Sequence, residues 1–188
     1  MSKSPSSYNR FVFLDRDGVI NVERGDYTTS IEEWEWAPGS LEGLKILTDA
    51  GFGVIIITNQ ACIAKARQTE GGLARLHSFM LRHIRESGGD ILKIYHCPHQ
   101  TSDGCSCRKP EPGMILQAEK DYKINLPETF FIGDTARDME VAQRASARTI
   151  LIDGEFNVHP VKKPVKTEFS AHDLMAAAKI VIEESRIE

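Results

Sequence analysis

Two carboxylates stand two residues apart in Asp15-Arg16-Asp17-Gly18, directly after the apolar run Phe11-Val12-Phe13-Leu14. Anions held that close split their acidities, so one can stay ionised as a nucleophile or magnesium ligand while the other keeps a proton for a leaving group. Asp and Gly are also common turn formers, and taken alone the motif reads equally well as a surface turn. A second acid pair, Asp134 and Asp138, follows the apolar run Phe130-Phe131-Ile132-Gly133. Asp134 beside Asp15 would make the oxygen-rich site that magnesium selects, although a helix cap is its plainer role. Thr58 closes a third apolar run, with Asn59 and Gln60 after it. A hydroxyl and backbone amides at that point could hold phosphate oxygens, or Thr58 or Asn59 could cap a helix. Lys109, in Arg108-Lys109-Pro110, precedes a helical pattern. An ammonium is what a carboxylate needs if it is to attack a dianionic phosphate.

A different chemistry is written in Cys97-Pro98-His99 and Cys105-Ser106-Cys107, two chelating arms separated by five residues. Three sulfurs and an imidazole fit a tetrahedral zinc ion, and four protein ligands leave no open position, so such a zinc is structural. His96 adjoins the first arm and is not expected to be a ligand; Cys62 stands alone. Arg108 and Lys109 follow the last ligand directly, so a loop fixed by zinc would fix both of them.

The elements that must carry these residues follow from periodicity. Residues 10–15, 52–58, 91–95, 128–133 and 148–152 read as five short strands, the first ending abruptly at an acid. Helical spacing recurs over 39–50, 70–87, 113–122, 137–146 and 170–184, with Gly51 and Gly88-Gly89 as stops. Residues 97–112 are too rich in Cys, Pro, Gly and Ser for regular structure, and 156–167 reads as an irregular surface stretch. Strands alternating with helices predict an α/β fold, a doubly wound, Rossmann-like parallel sheet covered on both faces with right-handed crossovers. Ligands bind such sheets at the carboxyl edge of the strands, where the acids, Thr58 and Lys109 are placed.

A chain of 188 residues fits one domain spanning 1–188, with 1–9 expected to be mobile and 97–107 forming the zinc loop. No large inserted cap domain fits between the first two helices. The net charge of −4 argues against wrapping nucleic acid, which requires a basic face. No apolar run reaches the roughly 20 residues that span a bilayer, and the N-terminal ten residues lack a secretory core. A cytoplasmic monomer with a small phosphorylated substrate, and neither nucleic-acid nor membrane partners, is the expectation.

The order acid pair, Thr, Lys, acid pair resembles the four motifs of the haloacid dehalogenase superfamily, matching Asp15-x-Asp17, Thr58, Lys109 and Asp134-x-x-x-Asp138. That resemblance implies a magnesium-dependent phosphatase. Asp15 attacks phosphorus and becomes an aspartyl-phosphate, and Asp17 protonates the leaving alcohol and then activates water. It further implies magnesium held by Asp15, the main-chain carbonyl of Asp17 and Asp134, with Asp138 orienting its neighbours. Within the superfamily, residues 11–152 look like the D-glycero-D-manno-heptose 1,7-bisphosphate 7-phosphatases, which act in lipopolysaccharide heptose synthesis, and the related histidinol-phosphate phosphatases. Arg108 to Met114 and Ile20-Asn21-Val22 lean towards the heptose enzymes. The short span between the zinc arms, and Ala136 with Asp138, lean towards the histidinol enzymes, whose substrate is an amino-alcohol phosphate.

Carried over residue by residue, Thr58 would hold the phosphoryl group, Arg108 would recognise substrate, and Glu23, Arg24, Gly25, Asn59 and Gln60 would line the pocket. The chain departs from the heptose pattern after Gln60, where a Ser-Gly-Ile-Ala-Arg-Gly type segment is replaced by Ala61-Cys62-Ile63-Ala64-Lys65-Ala66. Lost glycines restrict close backbone approach, and Lys lacks the bidentate fork of Arg. Thr135 likewise stands where the family often has Lys. A non-enzymatic rival, a phospho-receiver signalling domain, would carry its phosphorylated Asp at the end of the third strand; here that strand runs into His96 and Cys97.

Overall fold

A strand that is apolar on both sides must be covered on both sides, and the sheet is built around such strands. In the computed structural model, which describes residues 8–156 and 165–186, the strands are β1 (Phe11–Leu14), β2 (Gly53–Asn59), β3 (Lys93–Cys97), β4 (Phe130–Gly133), β5 (Arg148–Ile152) and β6 (Phe169–Ala171). They form one sheet in the order β3-β2-β1-β4-β5-β6, every neighbouring pair parallel. The helices are α1 (Ser40–Asp49), α2 (Glu70–Glu86), α3 (Gly113–Tyr122), α4 (Ala136–Arg144) and α5 (Leu174–Glu184).

Successive strand residues face opposite sides, and the core divides accordingly. Val12, Leu14, Val54, Ile56, Phe130 and Ile132 pack with Leu44 and Leu47 of α1, Met80 and Ile84 of α2 and Val181 of α5. Phe11, Phe13, Ile55, Ile57 and Phe131 pack with Met114, Ile115 and Ala118 of α3 and Val141 and Ala142 of α4. The doubly wound, Rossmann-like parallel sheet is therefore present. The segments between β1 and α1 and between β2 and α2 are loops, with no large cap domain. Strand order reverses between β1 and β4, and ligands of doubly wound sheets bind in the crevice at that switch point. Asp15 follows β1 and Asp134 follows β4, so both acids stand at the crevice.

The structure corrects several boundaries. The sheet has six strands rather than five, because Phe169–Ala171 pairs with β5 where a helix was expected from residue 170; α5 begins at Leu174, capped by the Asp173 carboxylate on the Ala176 amide at 2.7 Å. β3 lies two residues further on than the predicted 91–95, since at the sheet edge only Cys97 is buried and the apolar pattern is weak. The first zinc-arm cysteine is thus a strand residue, in register with Asn59. The loop also holds one turn of 3-10 helix at Thr101–Asp103, closed by the Gln100 amide on the Asp103 carboxylate at 3.0 Å. The expected mobile N-terminus, up to residue 7, and residues 157–164 of the irregular stretch lie outside the described residues.

Candidate active site

The carboxylate of Asp15 is placed by backbone pairing: its amide donates to the Ile132 carbonyl at 2.9 Å, continuing the β1–β4 ladder, and the Arg16 amide donates to its Oδ1 at 2.7 Å. Lys109 arrives from the far side. Its Nζ lies 2.8 Å from Asp15 Oδ2 and 2.6 Å from Asp138 Oδ1, in a site where Lys109 is only 3% exposed. The backbone of Lys109 is held as firmly as its head. Its amide donates to Asn59 Oδ1 at 3.0 Å, and its carbonyl accepts from Asn59 Nδ2 at 3.1 Å. An amide side chain offers one acceptor and two donors, which is why Asn can close this pair at the end of β2 and a carboxylate could not.

Asp138 is satisfied locally. Its Oδ2 accepts from the Thr135 amide and hydroxyl at 3.0 and 2.5 Å, a capping box that starts α4. Asp134 is not satisfied: it is buried, and its Oδ1 has no hydrogen-bond partner among the described residues. One carboxylate oxygen each from Asp15, Asp134 and Asp138 lie within 4.8 Å of one another. A buried anion without a donor is costly, and a divalent cation removes that cost, so the donor set fits magnesium. Asp134 is the member with an unpartnered oxygen; Asp15 is contacted by Lys109 and the Arg16 amide, and Asp138 by Lys109 and Thr135. Gly18 makes the approach of Asp134 feasible: its φ is +81°, and a Cβ there would meet Asp134 Oδ2 at 1.9 Å.

The acid pair is split, but in the opposite sense to the expectation for a proton donor at Asp17. Burial pushes Asp15 up to about 7, with Lys109 pulling it down and Asp138 and Asp17 pushing it up. Asp134 is raised well above its ordinary range, by burial first and then by Asp138 and Asp15. Burial also acts upward on Asp17, but the Arg16 guanidinium and hydrogen bonds from Arg16, Asn21 and Gln60 outweigh it and hold Asp17 below the usual carboxylate range. For Lys109, burial favours the neutral amine, but Asp138 and Asp15 outweigh it and keep the ammonium.

Above these groups is a cavity of about 550 Å³, lined by Asp15, Asp17, Thr58, Asn59, Lys109, Asp134 and Asp138 at its base and by Glu23, Gly25 and Arg108 on its walls. Two sequence-predicted pocket residues stand elsewhere. Arg24 does not line the cavity; its Nη1 approaches the Glu33 carbonyl at 3.4 Å and Glu35 at 3.9 Å. Gln60 is buried below it, donating to Asp17 Oδ2 at 3.0 Å and sharing its amide with Thr58 Oγ1 at 2.9 Å. Conversely, Asp26, Tyr27, Lys65, Arg67, Thr135 and Arg137 line the cavity and were not predicted. Arg67 pairs with both Asp26 oxygens at 2.5 and 2.6 Å, and Lys65 stands over the Tyr27 ring at 5.1 Å. The replaced segment after Gln60 and the residue that follows it therefore bring Lys65 and Arg67 to the wall; their presence there was the available signal.

The zinc loop adjoins the same wall. Cys97, Cys105 and Cys107 have Sγ separations of 3.6, 3.2 and 3.4 Å, and His99 Nδ1 lies 3.6 Å from Cys97 and 3.3 Å from Cys107. Zn–S bonds of about 2.3 Å give tetrahedral edges near 3.8 Å, so the four atoms fit a zinc ion after a few tenths of an ångström of expansion. His96 is turned away, its Nε2 3.0 Å from Glu70. Arg108 Nη1 donates to the His99 carbonyl at 3.0 Å, tying the wall to the first chelating arm. Behind the loop, the Gly113 amide donates to the Ser106 carbonyl at 3.0 Å; a Cβ at Gly113 would lie 2.4 Å from that oxygen.

Residues 106–177 match the HAD-hydrolase-like family model. A Pseudomonas aeruginosa D-glycero-beta-D-manno-heptose-1,7-bisphosphate 7-phosphatase is 36% identical over 88% of this chain and 93% of its own length. The alpha-anomer counterpart from Photorhabdus laumondii is 37% identical over 92% of this chain and 96% of its own. Among solved structures, the D,D-heptose 1,7-bisphosphate phosphatase of B. bronchiseptica, complexed with magnesium and phosphate, superposes with a TM-score of 0.86. It is 32% identical and covers 93% of this chain and 99% of its own.

Proposed function

The chain belongs to the heptose-1,7-bisphosphate 7-phosphatase family of HAD-like hydrolases and is a phosphatase, and we propose that it removes the C7 phosphate of D-glycero-D-manno-heptose 1,7-bisphosphate through an aspartyl-phosphate on Asp15. The observation that carries the chemistry is the convergence of Asp15, Lys109 and the unpartnered Asp134 beneath one cavity.

Asp15 Oδ2 would attack phosphorus, and the Lys109 ammonium, anchored by Asp138 and by Asn59, would offset the repulsion between that carboxylate and the phosphate dianion. Thr58 Oγ1 and neighbouring amides would hold the phosphoryl oxygens. Asp15, Asp134 and the main-chain carbonyl of Asp17 would hold magnesium, which supplies positive charge to the transferring phosphoryl group. Asp17 would give a proton to the leaving alkoxide as the ester bond breaks. It would then take one from the water that breaks the Asp15–phosphorus bond, returning to its starting form. An arriving phosphate dianion raises the pKa of a carboxylate beside it, offsetting the pull of Arg16 that keeps Asp17 ionised in the free protein. Arg108, Glu23 and Gly25 would meet the sugar. The four-ligand cysteine and histidine site would hold zinc in a structural role that preorganises Lys109. We further infer a single-domain, cytoplasmic monomer that engages neither nucleic acid nor membrane; no helix among the described residues is long and apolar enough to cross a membrane.

The test is a side-by-side assay of the two heptose 1,7-bisphosphate anomers, histidinol phosphate and a sugar phosphate panel, with phosphate release as the readout. The heptose bisphosphates should show the highest kcat/KM, and a preference for histidinol phosphate would overturn the substrate assignment. Asp15→Asn should fold and lose at least about a hundredfold in turnover; retained turnover would remove Asp15 as the nucleophile.

A further inference from the structure

The Asp17 carboxylate is gripped from three sides. Arg16 Nη2 donates to Oδ1 at 2.7 Å, Asn21 Nδ2 to the same oxygen at 2.9 Å, and Gln60 Nε2 to Oδ2 at 3.0 Å. Arg16 is itself only 1% exposed, and its Nε has no hydrogen-bond partner among the described residues, so the contacts made by its two outer nitrogens must offset the cost of taking the guanidinium out of water. Asp17 accounts for one prong of its fork. The other prong, Nη1, lies 3.3 Å from Nε2 of His77.

His77 comes from α2, on a face otherwise filled by the buried Leu73, Leu76 and Met80. Arginine has five donors and no acceptor, so this contact requires His77 Nε2 to present its lone pair and the ring to be neutral. Burial, with the charges of Arg16 and His96, pushes His77 down to about 3, in keeping with that requirement. Trp34 covers the guanidinium, its ring centroid 5.8 Å from Cζ. Behind His77 the His96 ring meets it edge to face at 6.2 Å. Neither Arg16 nor His77 lines the cavity, so neither is placed to touch substrate.

We propose that Arg16 and His77 are positioning residues for proton transfer: His77 fixes the guanidinium fork, and the fork fixes the Asp17 carboxyl where the leaving oxygen departs. The inference rests on the proposed role of Asp17 and not on the identity of the sugar. An alkoxide leaving group needs a correctly placed proton as the ester bond breaks, whereas p-nitrophenolate leaves without one. Because kcat/KM reports events up to the first irreversible step, comparing it for the two ester types isolates the proton given to the leaving group from the later attack of water.

The experiment measures kcat/KM of the magnesium-saturated enzyme on D-glycero-D-manno-heptose 1,7-bisphosphate, on fructose 1,6-bisphosphate as a second alkyl ester, and on p-nitrophenyl phosphate. His77→Leu, which removes the acceptor, should lower the alkyl esters about tenfold or more and the aryl ester less than about twofold. His77→Gln, which returns an acceptor to the same place, should recover most of the loss. Arg16→Lys, which keeps the charge without the two-pronged contact, should reproduce the selective loss and carries the test if His77→Leu does not fold. Equal losses on both ester types, or no loss on either, would overturn the proposal, as would failure of His77→Gln to rescue. Asp17→Asn in the same assay separates the premises. Selective loss there with none in the His77 and Arg16 variants rejects the positioning role alone, and no selective loss in Asp17→Asn rejects the role of Asp17 itself.

Discussion

Lys109 illustrates how neighbours keep a buried side chain charged and in place. Alone in sequence a lysine is surface; here two carboxylates within 2.8 Å hold its head and one asparagine holds its backbone. The acids around it carry a pH signature. A carboxylate whose folded value is raised contributes stability that is full below its ordinary 3.8 and is lost as pH rises through the folded value, which for Asp15 is about 7. Asp134 acts in the same direction. His77, depressed from 6.5 to about 3, works oppositely, its contribution present above 6.5 and lost as pH falls. The two effects separate when melting is compared with and without magnesium, since magnesium needs Asp15 and Asp134 ionised. At about a hundred times the dissociation constant, saturation is worth about 2.7 kcal/mol, or roughly 5 to 10 °C in a chain of this length. That shift should be present at pH 7.5 and nearly absent at pH 5; an equal shift at both would contradict metal binding by these acids. The motif acids were legible because Asp15 and Asp134 each end an apolar run and Asp17 and Asp138 follow at fixed spacing. Arg16 and His77 were not, since an arginine between two aspartates reads as solvated and a histidine on a helix face reads as core filling until the two are seen to meet.

At the level of elements, the ends of β1, β2 and β4 were legible from apolar runs that stop at polar residues, and their parallel order followed from the helices between them. β6 was not. It has three residues, only Ala171 among them is buried, and its pairing with β5 is a long-range fact that no local pattern encodes. The zinc loop sits between these cases: its ligands were legible from chemistry, but its attachment through Arg108 to His99 and through Gly113 to Ser106 is tertiary. Because the loop runs from the last residue of β3 directly into Arg108 and Lys109, loss of zinc should loosen the Lys109 ammonium. Cys105→Ser, assayed with magnesium saturating, should lower kcat about 10- to 100-fold and lower the melting temperature. Unchanged kinetics and stability in zinc-free protein would refute the coupling.

For the whole molecule, net charge misleads about the site. The chain carries −4, yet five cations, Lys65, Arg67, Arg108, Lys109 and Arg137, line one cavity beside the carboxylates of Asp15, Asp17, Glu23, Asp26, Asp134 and Asp138. Cations on the exposed wall draw in multiply charged esters, and that attraction is screened as the Debye length shrinks from about 10 Å at 0.1 M salt to about 3 Å at 1 M. KM for a sugar bisphosphate should therefore rise several-fold over that range while kcat, governed by the buried Lys109, stays within about twofold. A monophosphate should be less sensitive, and equal sensitivity would show that the wall does not read the second charge.

The exposed ion pair between Asp26 and Arg67 carries a consequence for adaptability. Solvent screens surface pairs of this kind, so they add little to stability, whereas the base of the cavity is locked by strand ends and by the Asn59 clasp on Lys109. Recognition and reaction are thus built on materials of unequal rigidity: residues 64–67 are exposed, whereas Ala61 and Cys62 are buried and belong with the base. A chimera exchanging residues 63–67 for the corresponding stretch of the Pseudomonas aeruginosa relative should melt within a few degrees of the parent while its ranking of sugar phosphates changes; a collapse in stability would show that the two layers are one. If they are separable, this scaffold offers a replaceable selector mounted on a permanent hydrolytic base.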